Sequence, residues 1–133
     1  LGNAILEDNV EVGALCSIDK GVSGDTVISF GTKFDNHVQV GHDTYIGRNC
    51  LIGAHSAIAG VTRIEDDVIV WANVLINKDL VVGSKAILLA TTGVDKSIEG
   101  GKTYYDAPAR EARKFWKEKA IIKQMIEEYT KKK

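Results

Sequence analysis

A histidine and a glycine 18 residues apart carry complementary chemistry. His42 is followed by Asp43, and Gly60 lies one such interval further along the chain. An imidazole changes charge near neutral pH, so His42 can accept a proton from an amine or hydroxyl, with Asp43 orienting or assisting the ring. A glycine in a turn can offer its backbone N–H to a developing oxyanion. The residues could therefore act on one carbonyl carbon if the fold brings them together; otherwise they are solvated turn residues.

A six-residue repeat would bring them together. Every sixth residue from Ile28 to Val94 is apolar, twelve in succession, and every sixth residue from Thr32 to Ile98 is small or apolar. With 44% hydrophobic residues, twelve such hits in one register have a chance probability below about one in ten thousand. Both sets are predicted to point inward. A period of six indicates short parallel strands wound into a triangular prism, with three hexads in each 18-residue coil.

The register continues upstream through Leu6, Val12 and Ile18, which gives about five coils. After Ile18, four extra residues within Lys20 to Asp25 are predicted to leave one corner as a loop. The residue after each apolar anchor is often glycine, as at Gly41, which we attribute to the backbone freedom that a corner requires.

The repeat ends at Ile98, and the remaining chain has a helical pattern. A turn follows, and Pro108 is predicted to open an amphipathic helix. We therefore divide the chain into a hexapeptide-repeat β-helix at 1–101 and a C-terminal turn and helix at 102–133. Because the chain has no second helix to cover the apolar side of this one, we expect it to contact another subunit.

Composition argues against several functional classes. The net charge is −1 with signs interspersed, so the chain lacks the basic face that nucleic-acid binding requires. No apolar stretch reaches the roughly 18 residues of a membrane span. Two cysteines and the lack of a leader-like segment favour a cytoplasmic location. Because the only methionine is Met125, we do not expect Leu1 to be the natural start.

Two other histidines, His37 and His55, are also 18 residues apart and should stack on one edge of the prism. A zinc site that included His42 would need three or four ligands, and the neighbouring cysteines occupy inward positions. We therefore predict no metal site and interpret His37 and His55 as polar residues of the surface or of a subunit interface.

Four segments of the chain carry a family resemblance. They are VEVGALCSIDKGVSGDTVI, GTKFDNHVQVGHDTYIG and AIAGVTRI in the repeats, and DAPAREARKFWKEKA at the exit into the C-terminal helix. Together they resemble the UDP-3-O-acylglucosamine N-acyltransferases, which add the second acyl chain to the lipid A precursor. The resemblance covers nearly the whole chain. It implies an all-β fold, a left-handed parallel β-helix with a C-terminal α-helix, and assembly as a homotrimer.

The resemblance also implies roles for individual residues. The histidine of the family's DN-x-x-Q-x-x-H motif, here His42, is the general base, and the glycine one coil later, here Gly60, supplies the oxyanion N–H. Asp43 completes a His-Asp pair that related sugar acyltransferases carry. The other polar residues of the motif are implied to line the acceptor and donor cleft, with turn and coil-edge hydrogen bonds as the alternative role: Asp35, Asn36 and Gln39.

The chain departs from the family in three respects. The family's N-terminal domain, which helps to bind the uridine nucleotide, has no counterpart in these residues. Asp79 stands where many members have a second histidine, so donor or acceptor handling is expected to differ. Trp71 stands where the pattern has glycine, above Gly53 and Asp35 in the 18-residue column. We expect its indole to pack on a neighbouring subunit or to narrow an acyl channel.

The leading interpretation is an acyltransferase that uses a phosphopantetheine thioester, on an acyl-carrier protein or CoA, and the amine of a nucleotide-linked amino sugar. It requires no bound cofactor, metal or covalent enzyme intermediate. The expected setting is lipid A, and hence lipopolysaccharide, biosynthesis. Two alternatives stay open: an acetyl-CoA-dependent sugar N- or O-acetyltransferase, and a non-catalytic trimeric structural paralogue.

Overall fold

The computed structural model describes all 133 residues, as a prism of short strands followed by one long helix, α1 (Ala112–Lys131). The strands are β1 (Ala4–Leu6), β2 (Glu11–Val12), β3 (Ser17–Ile18), β4 (Thr26–Ile28), β5 (Lys33–Phe34), β6 (Gln39–Val40), β7 (Tyr45–Ile46), β8 (Leu51–Ile52), β9 (Ala57–Ile58), β10 (Arg63–Ile64), β11 (Ile69–Val70), β12 (Leu75–Ile76), β13 (Val81–Val82), β14 (Ile87–Leu88), β15 (Gly93–Val94), β16 (Thr103–Tyr105) and β17 (Arg110–Glu111).

Three sheets form the faces of the prism. The first face contains β1, β4, β7, β10 and β13; the second contains β2, β5, β8, β11, β14, β16 and β17; the third contains β3, β6, β9, β12 and β15. Neighbouring strands are parallel, except that β17 is antiparallel to β16. The fold is the predicted left-handed parallel β-helix of hexapeptide repeats, with five coils from β1 to β15 and a partial sixth that begins where Ile98 pairs with Val82.

The first coil is four residues longer than the coils above it. Ala4 pairs with Thr26, an offset of 22 residues, whereas Lys33 pairs with Leu51 at an offset of 18. The additional residues lie between β3 and β4, as predicted, and leave the prism as a loop (residues 20–25), which we call the inserted loop.

The two inward-pointing sets of residues form the core. All twelve anchors of the first set are at most 4% exposed, and the second set is buried except for Leu80 and Ile98, which are partly buried. Polar members of the second set have hydrogen-bond partners. For example, Thr32 Oγ1 donates to the Gly47 carbonyl at 2.6 Å and accepts from the Cys50 N–H at 3.0 Å. No buried side-chain nitrogen or oxygen lacks a partner, which avoids a substantial desolvation cost.

The corners turn at residues other than the glycines that follow the anchors. A φ near +60° recurs every six residues, as at His37 (59°), Asp43 (57°) and Val61 (61°). Gly41 does not have a positive φ, but a β-carbon added to it would lie 2.4 Å from the nitrogen of Gly60 in the next coil. Our expectation that these glycines supply backbone freedom is therefore wrong. They allow adjacent coils to approach closely.

The C-terminal helix begins later than expected. Pro108 follows a cis peptide bond and precedes β17. The helix starts at Ala112, where the Glu111 carboxylate accepts the N–H groups of Arg113 and Lys114 at 3.0 and 3.2 Å. The expectation that Pro108 opens the helix is thus wrong, because the carboxylate that caps the first free N–H groups, that of Glu111, lies three residues further on.

Helix α1 leaves most of its apolar side chains in solvent. Trp116 is 55% exposed and Ile126 is 59% exposed. At the start of the helix, Ala112 is buried and Phe115 packs edge to face on Tyr105, with ring centroids 5.4 Å apart. The helix is too polar to serve as a membrane span.

Candidate active site

The 18-residue column places His42 directly against Gly60. Both lie where the third face meets the first, at residues 41–44, 59–62 and 77–80, which we call the His42 corner. A β-carbon added to Gly60 would lie 2.7 Å from Nε2 of His42 and 2.9 Å from its Cδ2. The Gly60 N–H donates no hydrogen bond within the chain. The corner therefore presents a ring nitrogen beside a free backbone N–H.

Asp43 engages the other nitrogen of the imidazole. Its Oδ2 lies 2.8 Å from Nδ1 of His42. Because an ionised carboxylate only accepts hydrogen bonds, this contact favours the tautomer with the proton on Nδ1 and leaves Nε2 as an acceptor. The imidazole is half exposed, whereas the carboxylate is largely covered. The pair thus keeps Nδ1 occupied and offers Nε2 to a ligand.

The inserted loop binds the same carboxylate. The Val22 N–H donates to Oδ2 of Asp43 at 2.8 Å, and the Ser23 and Gly24 N–H groups donate to Oδ1 at 3.1 and 2.6 Å. The hydrogen bond from Gly24, followed by those from His42 and Val22, holds the pKa of Asp43 well below its usual range. Asp43 therefore remains ionised at neutral pH.

Two surface depressions meet beside these residues. An apolar groove of about 1000 Å³ crosses the third face, from Gln39 through Leu75 to Pro108. A more polar pocket of about 840 Å³ lies at the His42 corner. Ala59 lines both, so the apolar groove ends next to His42 and Gly60. The residues that line the polar pocket are His42, Ala59, Gly60, Val61, Lys78 and Asp79.

The remaining candidate residues divide between two corners. Asp79 is exposed and lines the same pocket as His42. Asp35, Asn36 and Trp71 lie where the second face meets the third, at residues 35–38, 53–56 and 71–74, which we call the Trp71 corner. Gln39 lies on β6, on the face between the two corners. A single chain therefore does not bring all the predicted site residues together.

Asp35, Asn36 and Gln39 make coil-edge contacts. Asn36 Oδ1 accepts the Ala14 N–H at 2.8 Å, and Asp35 Oδ1 accepts the Asn36 N–H at 2.8 Å. Gln39 Nε2 donates to Asp19 Oδ2 at 3.2 Å. These contacts match the alternative role that the sequence left open, so substrate binding by these residues stays a prediction.

Trp71 borders a separate apolar groove on the second face. Its indole is 54% exposed and lines about 870 Å³ of space together with Phe34 and Leu51. Within one chain this groove is not the one that reaches His42. A contact between Trp71 and a bound acyl chain would therefore require a neighbouring subunit.

His37 and His55 stack as their spacing predicts. Their rings lie 4.6 Å apart with 6° between their planes, at the Trp71 corner. His42 lies at a different corner and does not join them. No group of three or more His, Cys, Asp or Glu side chains is arranged to hold a metal ion.

Comparisons with known proteins agree with this architecture. The bacterial transferase hexapeptide family (six repeats) matches residues 25–60, and the hexapeptide repeat of succinyl-transferase matches residues 44–78. The UDP-3-O-acylglucosamine N-acyltransferase of Methylobacterium sp. (strain 4-46) is 35% identical over 125 residues, which are 94% of this chain and 36% of that protein. This chain is a hexapeptide-repeat relative of these acyltransferases.

A second relative extends the match. The UDP-3-O-acylglucosamine N-acyltransferase of Campylobacter lari is 45% identical over 107 residues, 80% of this chain and 34% of that protein. The chain thus spans about a third of the length of these relatives. A hexapeptide transferase family protein from Anaplasma phagocytophilum has the same fold, with a TM-score of 0.76 at 17% identity over 83% of this chain and 67% of that one. The family resemblance seen in the sequence is confirmed.

Reasoning from the sequence missed three parts of the site. It located the inserted loop but did not assign it a contact with Asp43, and it did not select Gly41, which lies beneath the peptide bond between Ala59 and Gly60. It also overlooked Lys78, which lines the pocket of His42. A signal for Lys78 was available, because it lies 18 residues after Gly60 and so belongs to the same column.

Proposed function

We propose that this chain transfers an acyl group from a phosphopantetheine thioester to the amine of a nucleotide-linked amino sugar. The observation that carries the proposal is the contact between the His42 ring and Gly60, whose N–H is free, while Asp43 occupies Nδ1. The relatives support the reaction class and the sugar, since they are named as N-acyltransferases of a UDP-linked acylglucosamine. We propose lipid A biosynthesis as the setting and the cytoplasm as the location.

In the proposed reaction, the amine nitrogen attacks the carbonyl carbon of the thioester while Nε2 of His42 takes up the amine proton. Negative charge moves onto the carbonyl oxygen, which accepts a hydrogen bond from the Gly60 N–H. The tetrahedral intermediate then collapses and its carbon–sulfur bond breaks. His42 returns the proton to the leaving sulfur, so that the products are an amide and a free thiol.

The apolar groove on the third face supports a donor with an extended acyl-bearing arm. Ala57, Leu75 and Pro108 line it, and it ends at Ala59 beside the reactive corner. Each methylene that leaves water contributes about 0.8 kcal/mol, so an acyl chain or a pantetheine arm would gain affinity along it. We propose that the thioester enters by this groove, with an acyl-carrier protein or CoA as the carrier.

We propose that the chain acts as a homotrimer with its active sites between adjacent prisms. Asp35 and Asn36 of a neighbouring subunit would then complete the His42 corner, and the exposed apolar side of α1 would gain a partner. Sedimentation at micromolar concentration should give about 43 kDa, three times the 14.5 kDa of one chain. A protein that remained a monomer under these conditions would rule out the intersubunit site.

A donor and acceptor screen tests the proposed activity. Free thiol release would be measured with a long-chain acyl-carrier protein and with acetyl-CoA, each with and without UDP-linked 3-O-acylglucosamine and other amino sugars. We expect release that depends on the UDP-linked amine. If acetyl-CoA is the only donor that releases thiol in the presence of an amino sugar, the result would favour the sugar acetyltransferase. A folded trimer with no release for any pair would favour the non-catalytic paralogue and contradict the proposal.

A further inference from the structure

We infer that residues 22–24 of the inserted loop are a positioning segment of the active site, in which backbone N–H groups of Val22, Ser23 and Gly24 fix the Asp43 carboxylate against Nδ1 of His42. The inference rests on the proposed function, because it concerns the general base of that reaction. It gives a function to the inserted loop, which makes the first coil four residues longer than the regular repeat requires.

The number of backbone donors distinguishes Asp43 from Asp25 and Asp66, the other acidic residues that accept a backbone N–H from the coil below, since each of these accepts only one. Asp66 accepts one backbone N–H from that coil, that of Arg48 at 2.8 Å. Asp43 accepts three from the inserted loop, at 2.6 to 3.1 Å, and they reach both of its oxygens. One coil above Asp43, the equivalent position is held by Val61. The cradle is therefore specific to the coil that carries His42.

The loop is itself anchored to the first strand region. The Gly21 N–H donates to the Asn3 carbonyl at 3.0 Å, and Asp25 Oδ1 accepts the Asn3 N–H at 2.8 Å. The donors that hold Asp43 are thus fixed at both ends of the loop. A carboxylate held by three such donors cannot rotate away from Nδ1 without losing some of them.

The orientation of Asp43 determines which nitrogen of His42 is available. With the carboxylate in place, the neutral ring carries its proton on Nδ1, and Nε2 beside Gly60 can accept a proton. If the carboxylate turned away, the ring could carry its proton on Nε2 and would then be unable to act as a base toward the amine. The loop thus acts on catalysis through Asp43 without touching the reacting atoms.

The direct test is nuclear magnetic resonance of the full chain. We expect scalar couplings across the hydrogen bonds from the Val22, Ser23 and Gly24 amide nitrogens to the carboxyl carbon of Asp43. At a pH at which the His42 ring is neutral, the chemical shifts of its two ring nitrogens should show a protonated Nδ1 and an unprotonated Nε2. Undetectable couplings together with a ring protonated on Nε2 would overturn the inference.

A pair of proline substitutions in the loop tests the consequence for catalysis. Gly24→Pro removes the N–H that makes the shortest contact, whereas Lys20→Pro removes an N–H that donates to nothing in the chain. We expect Gly24→Pro to lower kcat about ten- to a hundredfold, with KM changed by less than roughly threefold, and to raise the Nε2-protonated fraction of His42. Lys20→Pro should change neither.

Equal kcat losses in the two variants, or an unchanged His42 tautomer in folded Gly24→Pro, would overturn the inference. If Gly24→Pro does not fold, the couplings in the unmodified protein decide. The nitrogen signals of the His42 ring can be measured without substrate turnover, so they test the positioning contact separately from the proposed function. A protein without activity but with the expected couplings and tautomer would contradict the proposed function and leave the positioning contact established.

Discussion

Gly41 lies directly beneath the peptide bond that joins Ala59 to Gly60, and a β-carbon added to Gly41 would come within 2.4 Å of the Gly60 nitrogen and 2.8 Å of its Cα. The proposed oxyanion donor therefore holds its position because Gly41, below that peptide bond, has no side chain. The site therefore depends on the close spacing of two coils, which positions the Gly60 N–H, as well as on the chemistry of His42.

The first prediction concerns this contact. Gly41→Ala should push the Gly60 N–H out of position and lower kcat by about a hundredfold, since misplacing an oxyanion donor removes most of its effect. Gly47→Ala is the matched control, because its β-carbon would lie 2.5 Å from Asp66 Oδ1 and 2.7 Å from the Glu65 carbonyl carbon, at another corner. We expect similar losses of thermal stability in both variants but a large kcat loss only in the first. Equal kcat in the two would contradict the role of Gly60.

The six-residue period was sufficient to predict the prism and the central pair. Because each inward position recurs with the period, burial of the anchors and contact between His42 and Gly60 followed from counting residues. The same counting could have separated Asp35 from His42. The six residues between them cross one face of the prism, but the family motif alone implies that both line one cleft.

The features that the repeat could not predict lie outside its six-residue period. The inserted loop has no register, so its three hydrogen bonds to Asp43 depend on a local path that the repeat does not determine. The start of α1 was likewise set by the side chain of Glu111, although the more familiar signal was Pro108. Both cases involve hydrogen bonds from backbone N–H groups to a carboxylate, which residue types alone do not reveal.

The second prediction concerns the buried thiol. Burial raises the pKa of Cys50 to about 11 from a usual value of 9.0. Iodoacetamide at pH 8 should therefore leave Cys50 unmodified in the folded protein and modify it after unfolding, as peptide mass spectrometry would show. Rapid modification of Cys50 in the folded protein would contradict its place in the core.

The same shift makes stability depend on alkaline pH. The pKa of Cys50 is higher in the folded state than in the unfolded state, so the folded protein is stabilised by holding this proton. This stabilisation is fully present below about pH 9 and is lost as the pH rises through about 11, which lowers the free energy of unfolding by up to about 3 kcal/mol. Urea unfolding at pH 8 and pH 11 should show this loss in the unmodified protein and a smaller loss in Cys50→Ala. The same pH dependence in both proteins would contradict the assignment to Cys50.

The third prediction concerns Trp71, whose exposed indole shares its groove with the exposed Leu51. Because this groove is separate from the one at His42, we expect Trp71 to pack on a neighbouring subunit. Trp71→Gly should weaken the trimer by about 2 kcal/mol or more per subunit, measured by sedimentation over a range of concentrations. The ratio of rates for a long and a short acyl donor should stay unchanged. A ratio shifted toward the long donor with an intact trimer would instead assign the indole to the acyl channel.

The central claim is tested most directly by the turnover of His42→Ala beside that of His55→Ala. The two variants remove exposed corner imidazoles, but His55 stacks on His37 at the Trp71 corner, away from Gly60. With the donor and amino sugar identified by the screen, kcat of His42→Ala should fall by roughly two to four orders of magnitude while the trimer remains intact. His55→Ala should stay within about twofold of the unmodified protein. Unchanged turnover in His42→Ala, or the same loss in both variants, would contradict His42 as the general base.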